Sequence, residues 1–144
     1  MKKSFSFLLL SVLLISILSC SQNKNAMTSE TVKREWMLKT LPGLTSDELV
    51  AARASINLAD LSKSGAFGGC NRIFFTTKTG KAGAISFTNI GATRMYCEDK
   101  MKVEDALVKA LPLINKYELT APHQVAFKDA SGKVIATAVA ADWD

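Results

Sequence analysis

From Arg34 to Val139 the apolar residues recur mainly at every second position, in runs short enough to be strands. Trp36 and Leu38 alternate with polar neighbours until Leu41-Pro42-Gly43 ends the run as a turn, and Ser55-Ile56-Asn57-Leu58 alternates again. Arg72 to Thr77 and Ala84 to Asn89 flank Lys78-Thr79-Gly80-Lys81, which predicts a β-hairpin. Alternation places the adjacent Phe74 and Phe75 on opposite faces of that hairpin. Met95 and Tyr96 predict a further short strand. Tyr117 and Leu119, then Val125 and Phe127, alternate in turn, and Val134 to Val139 follows the turn Asp129-Ala130-Ser131-Gly132.

Two segments break the two-residue period. Thr45-Ser46-Asp47-Glu48 has the spacing of a capping box and predicts one helical turn before Leu49 and Val50. Between Glu98 and Leu111, the residues Val103, Leu107, Ala110 and Leu111 fall at helical spacing. Lys100, Lys102, Glu104, Asp105 and Lys109 fall largely on the other side, and Pro112 is expected to stop the helix. The glycines from Gly65 to Gly69 read as backbone curvature, since they lack the strand-to-helix setting of a phosphate loop. The pattern predicts a mainly β (α+β) fold, a curled or barrel-like antiparallel sheet with one amphipathic helix packed on it. Closure of such a sheet removes exposed strand edges.

The N-terminus follows a different rule. Lys2 and Lys3 precede an apolar run from Phe5 to Leu18, and Leu18-Ser19-Cys20 closes it. A membrane span needs about 20 apolar residues, so the run is too short to be one and fits the charged and apolar regions of a secretory signal. The pattern predicts a lipoprotein signal peptide over 1–19, with Cys20 as the lipidated first mature residue; the competing reading is an ordinary cleaved signal beside a chance cysteine. Residues 20–31 are polar and predict a flexible tether, and 32–144 are left as one domain. Acyl chains, at roughly 0.8 kcal/mol per buried methylene, would hold the protein at a membrane. Ser21, where enterobacterial lipoproteins retained at the inner membrane carry Asp, favours the outer membrane of a cell envelope.

Composition then narrows the chemistry. Without Lys2 and Lys3 the chain carries 16 basic against 13 acidic side chains, a net charge of +3, too mild for a nucleic-acid footprint. His123 is the only histidine. It follows Pro122 in an expected turn, where it would face solvent. With Cys70 and Cys97 it falls one ligand short of a structural zinc site, and it is the only base available to a thiol or serine nucleophile. No Gly-x-Ser-x-Gly elbow is present. No catalytic, metal or cofactor site is expected.

Gly68-Gly69-Cys70-Asn71-Arg72, Gly91-Ala92-Thr93-Arg94-Met95-Tyr96-Cys97 and a helix carrying Glu104 and Leu107 resemble the META domain family, that of HslJ-like heat-shock lipoproteins. Trp36-Met37-Leu38 and Phe127-Lys128-Asp129 with Gly132 fit the same pattern, so the resemblance runs from Glu35 to Trp143. It implies a compact, mostly antiparallel β fold with one helix, an envelope stress context and, in some members, novobiocin tolerance. It implies no enzymatic activity. Gly69, Asn71, Thr93, Arg94 and Met95 are the motif residues whose role it leaves open. The resemblance also makes Cys70 and Cys97 neighbours. In an extracytoplasmic compartment an even pair reads as a disulfide, and two buried free thiols are the alternative.

Asn71 and Arg94 invite two readings. One is a recognition patch beside the cysteines; the other has Asn71 satisfying backbone groups and Arg94 covering apolar surface with its stem. Three functions follow. The leading one is a membrane-anchored, non-enzymatic module that engages another envelope protein. The second is a binder of small ligands inside or at the mouth of the sheet, and the third a thiol enzyme requiring an exposed, low-pKa cysteine.

Overall fold

The structure is a computed structural model that describes residues 32–142. The signal peptide, Cys20 and the tether expected over 20–31 lie outside the described residues.

Eight strands form one antiparallel sheet: β1 (Glu35–Thr40), β2 (Ser55–Asn57), β3 (Gly65–Phe67), β4 (Arg72–Thr79), β5 (Ile85–Ala92), β6 (Lys116–Ala121), β7 (Gln124–Lys128) and β8 (Val134–Ala140). Their order across the sheet is β5-β4-β3-β2-β1-β8-β7-β6. The two edges curl toward each other: Ala84 and Lys116 form an antiparallel bridge, and the Ile85 amide donates to the Asn115 carbonyl at 3.1 Å. The result is a curled half-barrel. Two-residue periodicity sends Trp36, Leu38, Ile56, Ile73, Phe75 and Phe127 to its concave side. Aromatic rings fill that side, with Phe75 and Phe87 centroids 4.8 Å apart and Phe87 and Phe127 6.4 Å apart. The interior of the curl is therefore side chain. As the alternation requires, Phe75 is buried and Phe74 exposed.

Among the described residues, α1 (Ser46–Ala51) and α2 (Met101–Ala110) attach to this sheet. The short α1 starts in the expected capping box: the Glu48 amide donates to Thr45 Oγ1 at 3.2 Å, and the Thr45 amide donates to Glu48 Oε2 at 2.7 Å. Helix α2 lays Val103, Leu107 and Ala110 against the core. A 2.6 Å ion pair between Lys102 Nζ and Glu48 Oε1 joins α2 to α1.

The chain departs from the alternation in several places. The hairpin connection lies between Thr79 and Ile85, later than Lys78–Lys81, because Thr76, Thr77 and Thr79 suit a strand and prolong β4. Helix α2 begins at Met101, since the Lys100 and Met101 amides both turn back to the Cys97 carbonyl. The α-helix ends at Ala110, just ahead of Pro112 as expected, and a 3₁₀ turn (Leu111–Leu113) takes the proline in its first positions, where a missing N–H is harmless. Met95 and Tyr96 are not a strand. The reason lies in what their backbone bonds to.

Candidate functional site

The loop ahead of β4 carries Gly68 to Asn71, and the segment after β5 carries Thr93 to Cys97. Strand pairing of β4 with β5 sets them side by side, Ile73 opposite Ala92. A disulfide joins Cys70 to Cys97, with Cα atoms 6.0 Å apart. Asn71, only 1% exposed, then takes the place of a strand partner for the 93–97 segment. Its Oδ1 accepts from the Met95 amide at 2.7 Å and from Thr93 Oγ1 at 2.9 Å. Its Nδ2 donates to the Met95 carbonyl at 2.9 Å and to Glu104 Oε1 at 2.9 Å. Both donors and both lone pairs of the amide are thus used. A carbonyl and an amide held by one side chain have no need of a ladder, and this is why Met95 leaves the sheet.

Glu104 closes the network. It stands in the first turn of α2, where the helix dipole favours a carboxylate. It is 5% exposed. Its second oxygen, Oε2, accepts from the Asn71 backbone amide at 2.9 Å. Helical spacing put Glu104 with the solvent-facing residues; it is buried instead because Asn71 satisfies both of its oxygens. Gly68 permits this approach, as a Cβ there would lie 2.8 Å from Glu104 Cα. Gly69 sits at φ +98° between Lys100 and Ala52.

What this frame displays is apolar. Met95 is 59% and Tyr96 81% exposed, and Phe74 is 52% exposed beside them. Phe74 pairs with Gly91 across β4 and β5. Its ring covers the glycine so closely that a Cβ at Gly91 would stand 2.4 Å from Phe74 Cε2, an aromatic side chain shielding an edge-strand glycine. These residues, with Arg94 and Val108, line an open groove of about 610 Å³ between the end of β5 and α2. Arg94 is exposed and makes no ion pair among the described residues.

The expected site residues therefore divide. Cys70, Cys97, Asn71, Thr93 and the Met95 backbone come together in one clasp, and Gly69 shapes its loop. Arg94 and the Met95 side chain project from it. His123 lies elsewhere, half-buried at φ +62° in the β6–β7 turn, where its Nδ1 accepts from Arg34 Nη1 at 2.8 Å. It does not simply face solvent, because the Arg34 guanidinium packs on it. Among the described residues no three His, Cys, Asp or Glu side chains are grouped to hold a metal ion. Sequence reasoning missed Glu104 as the partner of Asn71. The placing of Glu104 directly after the core residue Val103 was the available signal, but periodicity alone reads it, like Asp105, as solvated.

A family model for the META domain matches residues 29–142. No curated protein matches the chain. Two structures solved by NMR share the fold. A protein from Burkholderia xenovorans aligns with a TM-score of 0.55 at 22% identity, over 78% of this chain and 88% of its own. A second aligns with a TM-score of 0.56 at 21% identity, over 80% of this chain and 96% of its own. With the family model spanning the whole described sheet and both halves of the clasp, the chain belongs to the META domain family.

Proposed function

We propose that the protein is a lipoprotein of the bacterial cell envelope, anchored through Cys20, whose META domain is a non-enzymatic interaction module. The observation that carries this reading is the use of a disulfide and a fully satisfied buried network to present Arg94, Met95 and Tyr96 to solvent. Holding such residues in one geometry lowers the ordering cost of binding. Tyr and Arg are the side chains that most often anchor protein interfaces. The partner surface this fits is an apolar one carrying a carboxylate for Arg94. A role in envelope stress or novobiocin tolerance would follow from loss of that partner's function.

The test is crosslinking in the cell from a photoreactive amino acid at position 96, read by mass spectrometry. One envelope protein should be captured, with capture lost in Arg94→Glu and reduced in a Cys20→Ala chain that lacks the anchor. Capture that ignores both changes would refute the reading. Incorporation of labelled palmitate, abolished by Cys20→Ala, tests the anchor separately.

A further inference from the structure

A second concave surface lies on the outer face of β1 to β4. Strand register lays two outward rows across these strands: Glu35, Asn57, Gly65 and Phe74 form one. Met37, Ser55, Phe67 and Arg72 form the other. Each row has one small residue in its middle, Gly65 in the first and Ser55 in the second, on neighbouring strands, so the floor dips between larger side chains. The cleft has a volume of about 640 Å³, inside the roughly 300–1,000 Å³ range of small-molecule sites. Phe74 borders both this cleft and the groove beside Tyr96; the rest of the two linings is separate.

Its floor is apolar and its rim is basic. Met37 and Phe67 are half-buried on an outward face, where alternation would ordinarily place polar residues. Arg53, Lys63 and Arg72 stand around them, and none is ion-paired among the described residues. The two carboxylates of the cleft are already engaged. Glu35 Oε1 accepts from the buried Ser55 hydroxyl at 3.0 Å. Asp60 Oδ1 accepts from the Ser62 amide at 2.9 Å and its hydroxyl at 2.7 Å. Three cations against two anions leave one positive charge in excess. That suits a monoanion.

Arg53 adds an independent observation. It is the αL residue of a Schellman ending to α1: its amide donates to the Val50 carbonyl at 3.0 Å, and the Ala54 amide donates to the Leu49 carbonyl at 2.9 Å. Its φ is +50°. Glycine is the usual residue there, and a long cationic side chain at a strained position facing a cleft points to use.

We propose that this cleft binds an organic monoanion, a carboxylate joined to an apolar chain or ring. The Arg53 and Arg72 guanidinium groups take the carboxylate, and Met37 and Phe67 seat the apolar body.

The full chain in its own membranes is photolabelled with a diazirine-bearing fatty acid and, in parallel, with the matching primary amide. Peptides containing Met37 or Phe67 should carry the acid about fivefold more than the amide, because only the acid offers a charged fork for guanidinium. Arg53→Gly and Arg72→Gln should each remove most of that preference while amide labelling stays level. Phe67→Ala should lower both. Displacement of the label by excess decanoate identifies a chain-bearing acid and displacement by naphthoate a ring-bearing one, either being consistent with the site. Equal acid and amide labelling, label confined to residues 93–108, wild-type labelling of both arginine variants, or displacement by neither acid would overturn the proposal.

Discussion

Asn71 and Glu104 stand 33 residues apart in the chain, yet two hydrogen bonds of 2.9 Å join them, one from the side chain and one from the backbone of Asn71. The same amide holds the Met95 N–H and carbonyl, so one residue ties the loop ahead of β4, the segment after β5 and the start of α2. Replacing it with Ala strands Glu104 Oε1 and the two Met95 backbone groups, while the backbone amide at position 71 still reaches Oε2. Unsatisfied buried groups cost about 1–3 kcal/mol each, in part relieved by entering water, so Asn71→Ala is expected to lose about 3 kcal/mol in denaturant unfolding. Glu104→Gln keeps the shape but can turn only one acceptor toward the two Asn71 donors, and should lose about half as much. Losses below a few tenths of a kcal/mol for both would mean the network is not held in solution.

The disulfide and the clasp act on the same segment by different means. The bond closes a loop with a separation of 27 residues, which the chain-entropy account values at about 3.5 kcal/mol. Cys70→Ala with Cys97→Ala should lower global stability by about that amount. In hydrogen exchange, the added protection loss should fall on residues 96–100, while the Met95 amide, still bonded to Asn71, stays slow. Uniform loss across the sheet would show that the bond organises the fold as a whole.

Most of the sheet was legible because its signal is local. Trp36 with Leu38 and Phe74 against Phe75 needed only the period of two, and Thr45 with Glu48 needed only the capping spacing. The exceptions are places where a distant side chain takes over a backbone bond or a charge. Met95 reads as a strand until Asn71 is seen to occupy its N–H and carbonyl. Glu104 reads as solvated until the same residue is found against it, and His123 reads as exposed until Arg34 arrives from the bend ahead of β1, 89 residues away. The cleft behind β1 to β4 was invisible for a related reason. Met37, Phe67 and Arg53 come from separate strands and a turn, and no window along the chain contains their shared face.

Phe74 and Gly91 supply a test of packing at a sheet edge. A methyl at position 91 would lie 2.4 Å from the ring, so the ring must swing out toward solvent. Gly91→Ala is expected to lose about 1–2 kcal/mol as overpacking. In a Phe74→Ala background the same change should be neutral or slightly stabilising, since Ala suits a strand better than Gly. Denaturant melts of the four proteins give the coupling directly; additive losses would remove the ring from its place over the glycine.

The tie between α1 and α2 sets an acid limit. The hydrogen bond from Lys102, helped by the Thr45 amide, holds the Glu48 carboxyl down from 4.5 to about 2. A depressed folded-state value means that the contribution is present above the unfolded value and is lost as pH falls through the folded one. The loss therefore runs from about pH 4.5 down to about 2. Asp60 and Asp129 are lowered as well, by hydrogen bonds from Ser62 and Ser131, so the comparison must be with a variant. The melting temperature of Glu48→Gln should fall less steeply over this window than that of the native chain. Added salt should shrink the difference, because the pair is exposed. Parallel curves would exclude the tie.

Arg53 separates stability from binding. Its αL backbone costs a side-chain-bearing residue about 1 kcal/mol, and glycine recovers that while giving back part of it through a more flexible unfolded chain. Arg53→Gly should therefore melt at or slightly above the native temperature, with the α1 cap intact. Nothing in the packing of the sheet requires arginine here, since the side chain lies at the rim of the outer cleft. A variant that is equally stable but no longer takes the fatty carboxylate would show that the residue is retained for the cleft. A variant that unfolds more easily would show instead that Arg53 supports the turn, and its presence at the rim would then have a structural cause.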